Sequence, residues 1–320
     1  MPRLVLMVLA ALAGLASSVW AQDFPSRTVR IIIPLAAGGG GDVFIRALAD
    51  ELQRAWGQPV LVENRPGGGL NIGTRACAEA TPDGTTLCFL SSEPVVYNQF
   101  LYKSLPFDPD KDLQPIAKLF VNTLAFVVNS DLKVTTIPEL IAVAKARRGQ
   151  LSYATFAFPM AAFMERLKKT EDIDIIRVPY RGGGEVVNAV LAGTTPVAWL
   201  ALSNMVPQIQ TGRFTALAVN AKARSPLFPN VPTLAEVRPG EDYPPTWFGL
   251  YAPAGVPRPI LEKIASDVTR ITAEPAFRQR MFIERAVEPA GDTLEDFARF
   301  IRAERKISER IVKESGEQPR

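Results

Sequence analysis

The chain has 320 residues, with 36 lysines and arginines against 33 aspartates and glutamates and a formal net charge of +3. The basic residues are scattered along the chain, so nothing indicates a nucleic acid as a partner. The chain contains no histidine, which excludes catalytic Ser-His and Cys-His pairs and the common histidine zinc sites. We predict no metal, no organic cofactor and no enzymatic activity.

The first predicted element is an export signal at the N-terminus. Arg3 precedes an apolar run over residues 4–15, and Val19 and Ala21 occupy the −3 and −1 positions of a cleavage site. The apolar run is too short for a membrane span, which needs about 20 residues. We therefore predict a signal peptide over residues 1–21 that is cleaved on export, and a mature periplasmic protein that is not embedded in the membrane.

Strands and helices alternate in the first third of the mature chain. Apolar runs at 29–33, 60–62 and 86–90 predict strands, and apolar stripes at helical spacing predict helices over 42–56 and 71–80. The βαβαβ order is typical of a parallel sheet with right-handed crossovers.

The only two cysteines of the chain lie on either side of a predicted turn between a helix and a strand. Cys77 and Cys88 are separated by 11 positions, so a hairpin-like return of the chain could bring them together. In an oxidising compartment such a pair favours a structural disulfide, and two buried thiols are the alternative.

A second alternation of strands and helices spans residues 124–219 and ends at a proline-rich stretch, 226–245. A strand at 247–253 and helices at 259–273 and 293–313 follow. This pattern predicts an α/β protein with two lobes, each a mostly parallel sheet flanked by helices.

The chain is predicted to cross between the two lobes twice. Lobe one is expected to contain residues 22–123 and 247–320, and lobe two residues 124–246. The crossover strands near 124–128 and 247–252 would act as hinges, with a ligand held in the cleft between the lobes.

A glycine-rich loop follows a predicted strand in each lobe. Residues 35–42 include four consecutive glycines before a helix, and residues 181–184 resemble them in lobe two. Converging backbone N–H groups and the helix dipole favour a carboxylate or a phosphate at such a loop. One acid group could be bound by each loop, or one by both. A tight turn with Asp42 as helix cap is the alternative for the first loop. A dinucleotide fingerprint fails because Val43 stands where its last glycine belongs.

Three further polar residues are candidate ligand contacts. Asn71 could cap its helix or reach a ligand, and Ser91 and Thr155 each end a predicted strand. Serine and threonine at strand ends are also common in turns.

The ordered set of motifs resembles the Bug-type receptors, the extracytoplasmic solute-binding proteins of tripartite tricarboxylate transporters. The resemblance covers essentially the whole mature chain. Five segments carry it, in chain order. Residues 24–42 form an opening run with glycines and an aspartate, 59–73 a second signature and 82–87 a turn. Residues 178–182 form a lobe-two signature and 247–255 a return strand.

The resemblance implies a two-lobe periplasmic-binding-protein fold of type II, closing on a small organic carboxylate for delivery to membrane permease subunits. We expect a monomer. Placed by position in this sequence, the implied ligand contacts are Leu35, Ala36, Ala37, Gly38, Gly39, Gly40 and Asp42 in lobe one, and Thr155, Phe156, Ala157, Phe158, Arg181, Gly182, Gly183 and Gly184 in lobe two. Ser203, after the predicted strand at 197–201, is a further candidate contact in lobe two.

The chain departs from the family pattern in lobe two. Residues 155–160 are apolar where the family carries a Ser/Gly-rich segment and a histidine, and residues 201–204 replace a polar pair. We therefore expect a monocarboxylate, or an acid with an apolar or aromatic tail, rather than citrate. A ligand-loaded sensor for a membrane signalling protein and an exported carboxylate-dependent hydrolase are the alternative functions.

Overall fold

Two mixed β-sheets, each flanked by helices, form the protein. The computed structural model describes residues 24–240 and 243–320, so the predicted signal peptide lies outside the described residues. The strands are β1 Val29–Ile33, β2 Val60–Asn64, β3 Thr86–Ser91, β4 Leu113–Asn122, β5 Leu124–Asn129, β6 Leu151–Thr155, β7 Ile175–Pro179, β8 Val197–Ala201, β9 Phe214–Asn220, β10 Thr246–Pro253 and β11 Val287–Pro289.

The helices flank the two sheets. They are α1 Gly40–Trp56, α2 Asn71–Ala78, α3 Asn98–Leu101, α4 Ile137–Ala146, α5 Phe158–Glu171, α6 Gly183–Leu191, α7 Val206–Gln210, α8 Leu234–Val237, α9 Arg258–Ala273, α10 Pro275–Arg278 and α11 Leu294–Ser315. Within the described ranges, every helix is too short or too polar to cross a bilayer.

The strand order divides the chain into two lobes. Lobe one is the six-stranded sheet β11-β4-β10-β3-β1-β2 with its helices, and lobe two is the five-stranded sheet β7-β6-β8-β5-β9 with its helices. The chain crosses from one to the other at Thr123, between β4 and β5, and returns before β10. The predicted α/β fold with two lobes is confirmed.

The sheets are less parallel than the alternation of elements predicts. In lobe one β1 is parallel to β2 and β3, but β10 is antiparallel to β3 and β4, and β11 is antiparallel to β4. In lobe two β6 is parallel to β7 and β8, but β5 is antiparallel to β8 and β9. Strands β5 and β10 enter their sheets from the other lobe, so no helical crossover within one lobe fixes their direction.

The longest strand, β4, is absent from the elements predicted by sequence. Its sequence contains Pro115, and proline inside a run argues against a strand because it cannot donate to the ladder. In the structure β4 pairs with β10 along its length, and this pairing contains two register shifts.

Helix α1 begins within the first glycine-rich run, so the packing of this helix fixes the position of that run. Phe44, Ile45, Leu48 and Leu52 form its buried stripe, and Gly57 ends the helix in the left-handed conformation with φ +64°. The Phe44 ring lies 4.4 Å from that of Phe120, within an aromatic cluster under the sheet. Burial of one such ring contributes about 1.5–3 kcal/mol, so α1 is held firmly and its N-terminus is fixed in place.

Cys77 on α2 and Cys88 on β3 form a disulfide in the structure, with Cα atoms 6.0 Å apart. This separation is within the usual range for the bond. Both residues are fully buried, so the pair lies inside lobe one, away from solvent.

Candidate ligand-binding site

A cavity of about 30 Å³ lies between the two lobes. This volume has room for about two water molecules. Its walls come from the ends of β3, β4, β8 and β10 and the starts of α1, α5 and α6. The lining residues are Leu35, Ala36, Gly39, Gly40, Gly41, Asp42, Ser91, Ser92, Glu93, Asn122, Phe156, Ala157, Pro159, Met160, Gly183, Ala201, Asn204, Thr246 and Phe248.

Asp42 organises the first glycine loop from inside lobe one. Its carboxylate accepts hydrogen bonds from the Gly38 N–H at 3.0 Å, from Arg46 at 3.1 Å and from the Asn64 amide at 2.9 Å. Burial alone would raise the pKa of Asp42, but these donors hold it below its usual value. Gly38 adopts φ +88°, a conformation that favours glycine.

The N-termini of α1 and α6 face each other across the cleft. The predicted glycine loops end earlier than expected, because Gly40 and Gly183 already begin these helices. A Cβ atom on Gly184 would lie 3.1 Å from the Gly38 carbonyl carbon, which shows how closely the two backbones approach. Both positive helix ends therefore point into one small volume.

Several N–H groups at these two helix ends have no partner. Within the described residues, the N–H groups of Gly39, Gly41, Gly183 and Gly184 donate no hydrogen bond. The first N–H groups of a helix lack intrahelical acceptors. Free N–H groups at two helix N-termini can bind an anion without a basic side chain.

Each lobe also supplies an acceptor to a helix start of the other lobe. Asn204 of lobe two accepts the Gly40 N–H at 2.7 Å, and Glu93 of lobe one accepts the Phe158 N–H at 2.6 Å through Oε2. A third bond joins the Ala36 N–H to the Arg181 carbonyl oxygen at 3.3 Å. These bonds hold the lobes together around the cavity.

Glu93 is 3% exposed and is one of the residues that line this enclosed space. Burial raises the pKa of Glu93 to about 8, although the hydrogen bond from Phe158 and the nearby Arg320 and Arg177 act in the opposite direction. The desolvation of the carboxylate outweighs these favourable interactions.

Two hydroxyl groups on the lobe-one side of the cavity have no partner. Ser91 Oγ and Thr246 Oγ1 are buried, and neither makes a hydrogen bond within the described part of the chain. Both residues line the cavity, at the end of β3 and the start of the neighbouring β10. A buried hydroxyl without a partner costs about 1–3 kcal/mol, so a ligand group that bonds to it gains that free energy.

The lobe-two side of the cavity is largely apolar. Phe156, Ala157, Pro159, Met160 and Ala201 line it. The sequence predicts this character from the apolar segment 155–160.

The structure brings part of the sequence-predicted site to the cavity. The residues that line it are Leu35, Ala36, Gly39, Gly40, Asp42, Ser91, Phe156, Ala157 and Gly183. The remaining predicted residues do not line it: these are Ala37, Gly38, Asn71, Thr155, Phe158, Arg181, Gly182, Gly184 and Ser203.

Some of the remaining residues have other contacts in the structure. The Asn71 side chain neither caps α2 nor faces the cavity, since Asn98 donates to it at 2.7 Å. Thr155 donates to the Ala157 carbonyl oxygen, and the Arg181 side chain extends into solvent beside Glu185.

Sequence reasoning missed several lining residues, among them Glu93, Asn122, Asn204, Thr246 and Phe248. Glu93 follows the strand that ends at Ser91, so an acid placed directly after a buried strand was a usable signal. Thr246 and Asn122 are brought together only by the pairing of β10 with β4, which local sequence patterns do not indicate.

The match to a family of known proteins agrees with this geometry. Residues 44–317 match the family model described as the tripartite tricarboxylate transporter family receptor, TctC. The chain belongs to this family. The resemblance to Bug-type receptors is confirmed as well, since the chain is 32% identical to BugT of Bordetella pertussis over 98% of this chain and 96% of BugT.

Two solved structures share the fold. Rpa4515 of Rhodopseudomonas palustris, described with adipate, is 27% identical and superposes with a TM-score of 0.87, covering 93% of this chain and 100% of that one. MatC from the same organism, described with bound malate, is 27% identical with a TM-score of 0.82, covering 90% and 100%.

Proposed function

We propose that this TctC-family receptor captures a small organic carboxylate in the periplasm and delivers it to the membrane subunits of a tripartite transporter. The observation that carries the proposal is the pair of facing helix N-termini, where four glycine N–H groups have no partner in the described structure. This arrangement is suited to one carboxylate held by backbone groups of both lobes. Relatives described with adipate and malate support the same class of ligand.

Capture requires the lobes to separate and close. The cavity of about 30 Å³ is too small for an organic acid, so a ligand enters only when the interlobe bonds of Asn204, Glu93 and Ala36 open. We propose that the two predicted segments, 22–123 with 247–320 and 124–246, move as units about the two crossovers, except that Thr246, the first residue of β10, moves with lobe one. A ligand that contacts both lobes only in the closed form shifts the equilibrium toward closure.

The apolar lobe-two wall supports a ligand with one carboxylate and an apolar body. A second carboxylate buried against this wall would lack a partner, at a cost of several kcal/mol. Citrate is therefore a poor candidate.

Thermal-shift screening of residues 22–320 against mono-, di- and tricarboxylates tests the proposal. Ligand binding to the folded state raises Tm by mass action. We expect a selective rise with one class of acid and none with citrate. The absence of a rise with every acid, using protein shown by mass spectrometry to be free of ligand, would contradict the proposed function.

A further inference from the structure

One residue that lines the cavity, Glu93, has a carboxyl oxygen without a hydrogen bond in the described structure. Glu93 bonds to the Phe158 N–H through Oε2, while within residues 24–240 and 243–320 its Oε1 accepts no hydrogen bond. The other acid that lines the cavity, Asp42, is already paired with Arg46. No lysine or arginine is among the lining residues.

Two unpartnered hydroxyls accompany this carboxyl group. Ser91 is 6% and Thr246 5% exposed, and both line the same cavity as Glu93. Ser91 lies two positions before Glu93, and Phe248, two positions after Thr246, pairs with Ser91 across the sheet. Lobe one therefore presents a carboxyl group and two hydroxyls to the cavity, and no lysine or arginine lines it.

This set of groups discriminates between the possible second groups of a carboxylate ligand. A second carboxylate could accept from the two hydroxyls, but no lysine or arginine lines the cavity to balance its charge, and it would keep Glu93 protonated. A plain apolar tail would leave the hydroxyls and the Glu93 oxygen without partners. An ammonium group donates three hydrogen bonds and carries the complementary charge.

We propose that Glu93, Ser91 and Thr246 form a cation subsite, and that the ligand is a small zwitterionic carboxylate whose ammonium group binds there. The carboxylate end of this ligand rests on the proposed function, at the N-termini of α1 and α6. The chain between the two groups contacts the apolar wall of lobe two. Glu93 is then the residue that determines specificity.

Binding at this subsite is coupled to a proton. Burial raises the pKa of Glu93 to about 8, so near pH 7 the carboxyl group holds a proton. The charged groups that influence it electrostatically from outside the cavity lining are Arg177 on β7 and Arg320 and Glu317 at the C-terminus, with the Tyr97 hydroxyl on its own segment. An arriving ammonium group favours the carboxylate, and one proton passes from Glu93 to solvent for each ligand bound.

Matched sets of acids test the subsite directly. For each chain length from propionate to hexanoate, the set contains the plain monocarboxylate, the dicarboxylate, the α-amino acid and the ω-amino acid. Titration calorimetry with the full mature protein measures each affinity. We expect one amino acid to bind about 10- to 100-fold more tightly than the plain acid and the dicarboxylate of its set, as charge-assisted hydrogen bonds predict.

The Glu93→Gln variant separates specificity from folding, because glutamine keeps the shape and can still accept the Phe158 N–H. The preference for the amino acid should fall to about threefold or less, while the plain acid still binds. The matched control is Glu79→Gln, which removes the same charge from a surface pair with Arg75 and should keep the preference. Calorimetry in two buffers of different ionisation enthalpy should detect proton release on amino-acid binding in the wild type and none in Glu93→Gln.

The outcomes distinguish the cation subsite from the proposed function. If plain acids bind but the amino members bind no more tightly, or if Glu93→Gln keeps the preference, the subsite is wrong and carboxylate capture stands. If none of the acids binds to ligand-free protein, both proposals are contradicted.

Discussion

The two faces of the interlobe cavity differ in chemistry. Lobe one presents buried polar side chains, among them Ser91, Glu93 and Thr246, whereas lobe two presents apolar ones such as Phe156 and Met160. Only the backbone N–H groups at the helix starts are common to both. Lobe two therefore forms an apolar wall of the cavity, and lobe one carries the side chains that we propose to determine ligand specificity.

Because of this difference, we expect substitutions in the two lobes to affect ligand binding in different ways. A change of a polar lobe-one side chain should alter which ligand binds, because it removes a directional partner. A change that hinders the approach of lobe two should weaken every ligand to a similar extent, because each depends on closure. The predictions below test this assignment.

The largest expected effect is on the pH dependence of the empty receptor, measured with Glu93→Gln. The pKa of Glu93 lies at about 8 in the folded protein, above its ordinary 4.5. Below pH 4.5 the Glu93 carboxyl group holds its proton in both the folded and the unfolded state, and its contribution to stability is complete. Between pH 4.5 and about pH 8 only the folded state holds the proton. The free energy of unfolding of the wild type should then fall by about 1.4 kcal/mol per pH unit relative to Glu93→Gln, up to pH 8. Urea unfolding at several pH values measures the difference, and parallel profiles for the two proteins would contradict it.

Removal of the disulfide should give the next largest effect, confined to stability. Replacement of Cys77 and Cys88 by alanine opens a short covalent loop in lobe one and should lower the free energy of unfolding by about 3 kcal/mol. Ligand preference should not change, because neither residue lines the cavity. Denaturant unfolding with and without reductant provides the check: reductant should destabilise only the wild type. Equal sensitivity of both proteins, or free thiols in the oxidised wild type, would show that the cysteines are not joined.

Hindered closure should reduce affinity by about 10- to 100-fold. In Gly184→Val, the Cβ atom would lie 3.1 Å from the Gly38 carbonyl carbon and 3.2 Å from the Ala37 oxygen, both in the opposite lobe. Overpacking of this kind costs about 1–3 kcal/mol. All ligands should weaken together while Tm of the empty protein stays close to that of the wild type.

Gly291→Val is the control for this effect, since a Cβ atom there meets nothing within 4 Å. A loss that affects one ligand class only, or an equal loss in the control, would break the assignment of closure to lobe two.

The sequence predicts the elements of this fold better than it predicts the site. Strand β1 matches its predicted range, and α1 begins two residues before its predicted start, because two of the four glycines join the helix. Hydrophobic periodicity is local, so such elements can be read from a short window. The β4 strand, interrupted by Pro115, lacks that periodicity and was missed.

The site depends on contacts between residues far apart in the chain. The glycine loops were identified because their composition is itself unusual. Glu93 faces Phe158, and Asn204 reaches Gly40. Such pairs exist only when the two lobes meet. The choice of Ser203 rather than Asn204 shows the limit, since a single step along a 3₁₀ turn changes which side chain enters the cavity.

The smallest predicted effect compares two buried threonines, one in each lobe. Thr246→Val removes a hydroxyl that has no partner in the described structure, so the empty protein should become more stable by about 1 kcal/mol while the ligand binds about five- to tenfold more weakly. Thr155→Val removes a hydroxyl that donates to the Ala157 carbonyl oxygen at 3.1 Å, so it should destabilise by about 1 kcal/mol. Denaturant unfolding and calorimetry on both variants give the comparison. Opposite signs of the two stability changes would support the proposal that only the lobe-one hydroxyl is available to a ligand. Equal signs would contradict that proposal.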